Sequence, residues 1–121
     1  MTAKRFVLTA GAVMLWSGVA AADVLYSPPL VAEGPNVLDC YLVNVSPTRR
    51  WVVIEVLNRA GQVVERVTTT LGPGEEDVAR ATSDKQPRFC RFNVQGRARD
   101  YRGSVLVRSN GVGAISALPA S

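Results

Sequence analysis

Leu38-Asp39-Cys40-Tyr41-Leu42-Val43-Asn44-Val45 and the distant segment Arg88-Phe89-Cys90-Arg91-Phe92-Asn93-Val94 decide how the whole chain is read. Each reads as a β-strand, and each carries one of the only two cysteines in the sequence. Strand side chains alternate between faces, so turning Cys40 inward brings Leu38 and Leu42 with it. Turning Cys90 inward brings Phe92 and Val94 and sends Arg91, Asn93 and Gln95 to water. Cysteine parity and apolar parity agree on both segments, as a disulfide crossing a buried core requires. A Cys40–Cys90 bond between two buried strands is therefore expected.

Outward from this pair, the amino terminus reads as a targeting segment. Lys4 and Arg5 precede an uncharged stretch from Phe6 to Ala20, and Ala20-Ala21-Ala22 supplies the small residues of a signal-peptidase site. The apolar run is short for a membrane span, and no basic stop-transfer cluster follows it. A signal peptide over 1–22, cleaved before Asp23, and a single domain over 23–121 are expected. No transmembrane span would remain after cleavage. Export to a periplasmic or extracellular compartment agrees with two cysteines used as one structural disulfide. The wide spacing of Cys40 and Cys90, and a sequence without histidine, argue against a redox pair or a metal site.

The remaining chain alternates short β-patterned runs with turn signals. Asp23 to Ser27 is a strand interrupted by Pro28-Pro29, which marks an edge, and Leu30-Val31 resumes it. Arg49 to Asn58 is the clearest strand, with Val52, Ile54 and Val56 on one face and Trp51, Val53, Glu55 and Leu57 on the other. A glycine-containing loop leads to Val63–Leu71, and Leu71-Gly72-Pro73-Gly74-Glu75 turns towards a weaker strand at Asp77–Ala81. Tyr101–Arg108 and Gly113–Leu118 complete about eight strands with no helical period. The expected class is all-β, a single antiparallel sandwich of about seven to eight strands. Leu38, Leu42, Val52, Ile54, Val56, Phe92 and Val94 should form its core, while Glu55, Arg91 and Asn93 face solvent.

The pattern resembles an immunoglobulin-like sandwich, with Cys40 and Cys90 in the places of that family's inter-sheet pair and Trp51 downstream of the first. Trp51 falls on the face opposite Val52, Ile54 and Val56, and Arg88 stands where antibody domains place a tyrosine. The resemblance implies a sandwich and no activity, because function resides in sites rather than folds.

Catalytic groups are sparse. Without histidine no Ser-His-Asp or Cys-His arrangement can be built. Ser83-Asp84-Lys85 and Glu75-Glu76-Asp77 have the composition of solvated turns, and the second lacks the alternating spacing of a calcium loop. Asn44-Val45-Ser46 matches the glycosylation sequon, followed by an unfavourable Pro47. Asp39, Glu55 and Glu65 are the candidates for a carboxylate-dependent hydrolase, yet each lies mid-strand facing away from the inferred core. No cofactor is implied.

Charge is distributed unevenly along the chain. From Asp23 to Ala79 four arginines meet eight acidic residues, a net of −4. From Arg80 to Ser121 seven arginines and Lys85 meet Asp84 and Asp100, a net of +6. Arg91, Arg97, Arg99 and Arg102 are the candidate anion-binding face, expected to be continuous if the last two long strands pair through a hairpin at Gly96–Arg99. Guanidinium forks suit carboxylate or phosphate, whereas exposed arginines also serve simply as solvated, edge-protecting surface. The function expected is a non-enzymatic binding or structural component of the cell envelope or secreted fraction. Its partner would be a protein or an anionic envelope polymer, and not nucleic acid. The alternatives are a small carboxylate-dependent enzyme acting on polysaccharide and a subunit of a surface fibre assembled by donated strands.

Overall fold

The computed structural model describes residues 22–32, 36–82, 85–109 and 113–121. The expected signal peptide, apart from Ala22, lies outside the described residues, as do Ser83 and Asp84. Among the described residues nine strands form, in chain order β1 (Ala22–Tyr26), β2 (Leu30–Val31), β3 (Val37–Asn44), β4 (Arg50–Asn58), β5 (Val63–Leu71), β6 (Glu76–Thr82), β7 (Pro87–Gln95), β8 (Tyr101–Ser109) and β9 (Gly113–Pro119). A single 3₁₀ turn, Ala98–Asp100, separates β7 from β8. All strand pairs are antiparallel, and they assemble two packed sheets. One has the order β1-β7-β4-β5, with β2 also on β7, and the other β6-β3-β8-β9. The chain is an all-β sandwich.

Alternation explains what lies between the sheets. Leu38, Cys40 and Leu42 from β3 meet Val52, Ile54 and Val56 from β4 and Cys90, Phe92 and Val94 from β7. Each of the seven core residues expected from parity is at most 1 % exposed. Cys40 and Cys90 are bonded, with Cα atoms 5.7 Å apart, and the bridge links the central part of one sheet to that of the other. A side chain such as Ile54, fully withdrawn from water, contributes roughly 1.5–3 kcal/mol by burial. Trp51 points outward and is 40 % exposed, so the core is built without it.

One detail of topology departs from expectation. The last two long strands do not pair: β7 lies beside β4 and β1, whereas β8 lies between β3 and β9 in the other sheet. Residues 96–100 therefore cross between sheets rather than closing a hairpin. Tyr101 braces this corner, since its buried ring carries a hydroxyl that donates to the carbonyl of Gln95 six residues upstream. The carboxy-terminal residues add contacts between the sheets. Ala120 N–H donates to Gly103 O in one sheet, while Ser121 and Tyr26 exchange backbone hydrogen bonds of 3.0 and 3.1 Å with the other. The end of the chain thus stitches β1 to the opposite sheet and closes one flank of the sandwich.

Pro28-Pro29 interrupts the edge strand as expected, and Ser27 covers the gap. Its hydroxyl oxygen accepts from Cys90 N–H at 2.8 Å and its own N–H donates to Cys90 O at 3.0 Å. The ladder beside the second cysteine therefore stays satisfied where proline has no donor to offer.

Candidate functional site: an arginine-lined end

Asn44 begins the construction of the site. Its amide is fully buried and donates to Thr48 O at 2.8 Å and Leu71 O at 2.7 Å, while its oxygen accepts from Ser46 N–H at 2.9 Å. The sequon at Asn44 is thus occupied by structure, with no amide hydrogen left facing solvent. Ser46 Oγ donates to Thr48 O at 3.0 Å, so the β3–β4 loop is pinned at both of its polar corners. This loop delivers Thr48, Arg49 and Arg50 to one end of the sandwich.

The crossover after β7 forms the opposite wall. Val45 N–H donates to Asp100 O at 2.8 Å, tying the two segments together. Ala98 N–H donates to Asp23 Oδ2 at 2.8 Å, anchoring the turn to the start of β1. Gly96 has φ +91°, and a Cβ there would stand 1.6 Å from Arg50 Nη1. Only glycine combines that left-handed backbone with room for the guanidinium above it. Arg50 Nη1 then reaches Asp100 Oδ2 at 3.1 Å, and its Nε donates to Thr48 Oγ1 at 2.9 Å.

Between these walls lies a cleft of about 630 Å³ lined by Thr48, Arg49, Arg50, Gln95, Gly96, Arg97, Arg99 and Asp100. Four arginines thus face one carboxylate. Arg50 is neutralised by Asp100, and Arg49 lies 3.3 Å from Glu75 in an exposed pair. Arg97 and Arg99 are exposed and have no carboxylate within ion-pair distance among the described residues. A guanidinium without a partner in a cleft that already holds two further cations is stabilised by any anion that enters. The arrangement can hold an oxyanion.

The candidate face of Arg91, Arg97, Arg99 and Arg102 is accordingly divided. Arg97 and Arg99 line the cleft. Arg102, on β8, lies beside it and donates to Arg99 O at 3.1 Å and Tyr101 O at 2.8 Å. Arg91 is elsewhere, because β7 and β8 occupy different sheets. Thr48, Arg49 and Arg50 come from a region that the linear charge count made acidic, so sequence reasoning missed them. A signal was nonetheless present, in the consecutive arginines directly after a Ser-Pro-Thr turn.

Arg91 belongs to a different construction on the outer face of its sheet. Tyr26, Arg91, Glu55 and Arg66 stand in register across β1, β7, β4 and β5. Glu55 was expected to face solvent; it does point outward, but it is only 2 % exposed. Arg66 covers it through Nε at 2.9 Å and Nη2 at 2.7 Å, Arg91 through Nε at 2.7 Å, and Asn93 through its amide at 2.9 Å. Burial by itself raises the Glu55 pKa; hydrogen bonds and charge from Arg91 and Arg66 outweigh it and hold the carboxyl below its ordinary value.

Asp39 repeats the device on the other sheet. It is fully buried on the outward side of β3, and Arg80 Nε reaches Oδ1 at 2.6 Å while Arg108 Nε reaches Oδ2 at 2.8 Å. Burial again pushes upward and the two arginines pull the carboxyl below its usual range. Glu65, the third candidate carboxylate, is exposed on β5. Asp39 and Glu55 therefore point away from each other across two sheets about 10 Å apart, beyond the separation of roughly 5–10 Å that glycoside hydrolysis requires of its pair. Glu75 holds the β5–β6 turn by accepting from Gly72 N–H at 2.6 Å.

No family model, curated protein or solved structure matches the chain. The described residues contain no helix long and apolar enough to cross a membrane.

Proposed function

We propose that this is an exported, non-enzymatic binding protein of the periplasm or secreted fraction, and that it engages an anionic envelope polymer through the arginine-lined end. One observation carries the reading: among the described residues Arg97 and Arg99 form no ion pair in the cleft they line, while Asp39 and Glu55 are each clamped by two arginines. Charge on the sheet faces is spent structurally, whereas two guanidinium groups in this cleft stay available. The disulfide supports an oxidising compartment. The hydrolase alternative loses its acid–base pair, because its two buried carboxylates lie on opposite faces and are held ionised. The strand-donation alternative gains nothing, since Ser121 is already hydrogen-bonded to Tyr26 within the same chain.

The fold reads as a variant of the immunoglobulin-like sandwich. In support, the cysteine strands lie in different sheets, with β3 beside β6 and β7 beside β4. The variation is that β8 pairs with β3 and leaves the place beside β7 to β1.

The test is co-sedimentation of the purified exported protein with polygalacturonate-coated and polyphosphate-coated beads at low and high salt. Retention at low salt should fall as salt screens the contacts, and Arg97→Glu/Arg99→Glu should abolish it. Wild-type protein that binds neither polymer, or binding indifferent to this double substitution, would refute the reading.

A further inference from the structure

We infer that the arginine cleft extends onto Trp51 and that the two together form a site for an acidic polysaccharide carrying carboxylates. The inference rests on the proposed binding role and goes beyond it by naming the ligand class and a second recognition element. Trp51 directly follows Arg50, which lines the cleft, and its backbone N–H donates to Gln95 Oε1 at 3.0 Å. Gln95 is itself a cleft residue, so the side chain that ends the cleft also begins the surface on which Trp51 stands. Trp51 is 40 % exposed on the outer face of its sheet, opposite Thr70 of β5. An outward tryptophan in a strand whose inner residues are completely buried does nothing for the core.

The two elements ask for different chemistry in one ligand. Planar carboxylate matches the guanidinium fork of Arg97 or Arg99 in two parallel hydrogen bonds. The indole face carries partial negative charge and suits the polarised C–H face of a sugar ring. Thr48 and Gln95 in the cleft and Thr70 opposite Trp51 border the path between the two elements with polar side chains. A bare polyanion would use the arginines and ignore Trp51, and a neutral glycan would do the reverse. A uronate polymer uses both. The volume, about 630 Å³, falls in the range of roughly 300–1,000 Å³ typical of sites for ligands larger than a single ion.

Isothermal titration of the exported protein with oligogalacturonate, polyphosphate and neutral dextran separates the possibilities. Oligogalacturonate should bind saturably, and raising salt from low to physiological levels should weaken it at least about tenfold. Trp51→Ala should weaken oligogalacturonate several-fold and leave polyphosphate unchanged. Arg97→Glu/Arg99→Glu should lose both anions, and Arg59→Glu, at the far end of β4, should lose neither. Cleft-dependent binding of polyphosphate without oligogalacturonate would overturn this inference and leave the broader anion-binding reading standing. Oligogalacturonate binding that ignores Trp51→Ala would likewise overturn the two-part site. Loss of binding to all three probes would remove both proposals. Unchanged circular dichroism and thermal unfolding in each variant confirm that the fold is retained, as expected for substitutions at exposed positions.

Discussion

Glu55→Gln is the perturbation that tests the charge architecture most directly. Glu55 is only 2 % exposed, and its carboxylate accepts hydrogen bonds from Arg66, Arg91 and Asn93. Glutamine keeps the shape, removes the charge and turns one acceptor into a donor facing guanidinium donors. Breaking a buried ion pair by removing one partner costs roughly 3–5 kcal/mol. That range must be discounted here, because the Arg66 side chain is 55 % exposed and can rehydrate, whereas Arg91 at 30 % can do so less well. The expected loss is about 2–4 kcal/mol. For a domain of this size each kcal/mol shifts the melting temperature by about 4–8 °C.

The same substitution has a signature in pH. Because the folded-state pKa of Glu55 lies below its ordinary, unfolded value, its contribution is complete above that ordinary value and is lost as pH falls through the folded-state pKa. Stability of the wild type should therefore decline below about pH 5, and Glu55→Gln should flatten that decline while lowering the plateau at neutral pH. Asp39 contributes a second component of the same sign. Urea unfolding at neutral pH and at several acidic values measures both effects. Neutral-pH stability within about 0.5 kcal/mol of wild type, with a superimposable acid limb, would show that Glu55 behaves as an ordinary surface carboxylate.

Three further outcomes are expected. Replacing both cysteines by alanine should cost about 4 kcal/mol, the chain entropy of the loop closed between positions 50 residues apart, and intact-mass measurement of the native protein should find no free thiol. Ile54→Ala should destabilise by about 2–5 kcal/mol in chemical denaturation, because the site is completely buried against Phe92 and Val67 in register on either side. Gly96→Ala should cost about 1–2 kcal/mol from its left-handed backbone and should push Arg50 off Asp100, which polyanion retention at low salt would report as altered binding.

What parity could deliver, the sequence delivered. Cys40, Leu42, Ile54, Phe92 and Val94 share an inward face because a strand's side-chain period is two, and that rule needs no knowledge of neighbours. Pairing partners are another matter. Whether β8 lies beside β7 or β3 depends on which sheet the crossover at 96–100 enters, and five residues can either turn back or cross. The Tyr101–Gln95 hydrogen bond that favours crossing is visible only once the corner is folded. Burial of Glu55 was illegible for a related reason. Alternation assigns it to the outer face correctly, but the cover comes from Arg66 and Arg91 on adjacent strands, whose register is set by long-range pairing. Outward and exposed are separate properties when long side chains fold across a sheet.

The split in linear charge acquires its meaning from that same register. Asp39 and Glu55 lie in the acidic half of the chain, and they are neutralised largely from the basic half, by Arg80, Arg108 and Arg91. Antiparallel pairing brings these groups together because β3 and β4 are central strands, each flanked by a strand from later in the sequence. Once those arginines are committed, the positive surplus is no longer spread along the last two long strands. What remains of it around the crossover is Arg97, Arg99 and Arg102, joined there by Arg49 and Arg50 from the β3–β4 loop. The cluster gathers where two of the connections between the sheets, the β3–β4 loop and the crossover after β7, meet side by side, and the crossover backbone is held there by Asp23, Val45 and Tyr101 rather than by a ladder. Rigid loops carrying uncommitted charge at the end of a sandwich are what a binding site requires. The two sheet faces, with their carboxylates clamped, are the scaffold that holds those loops in place.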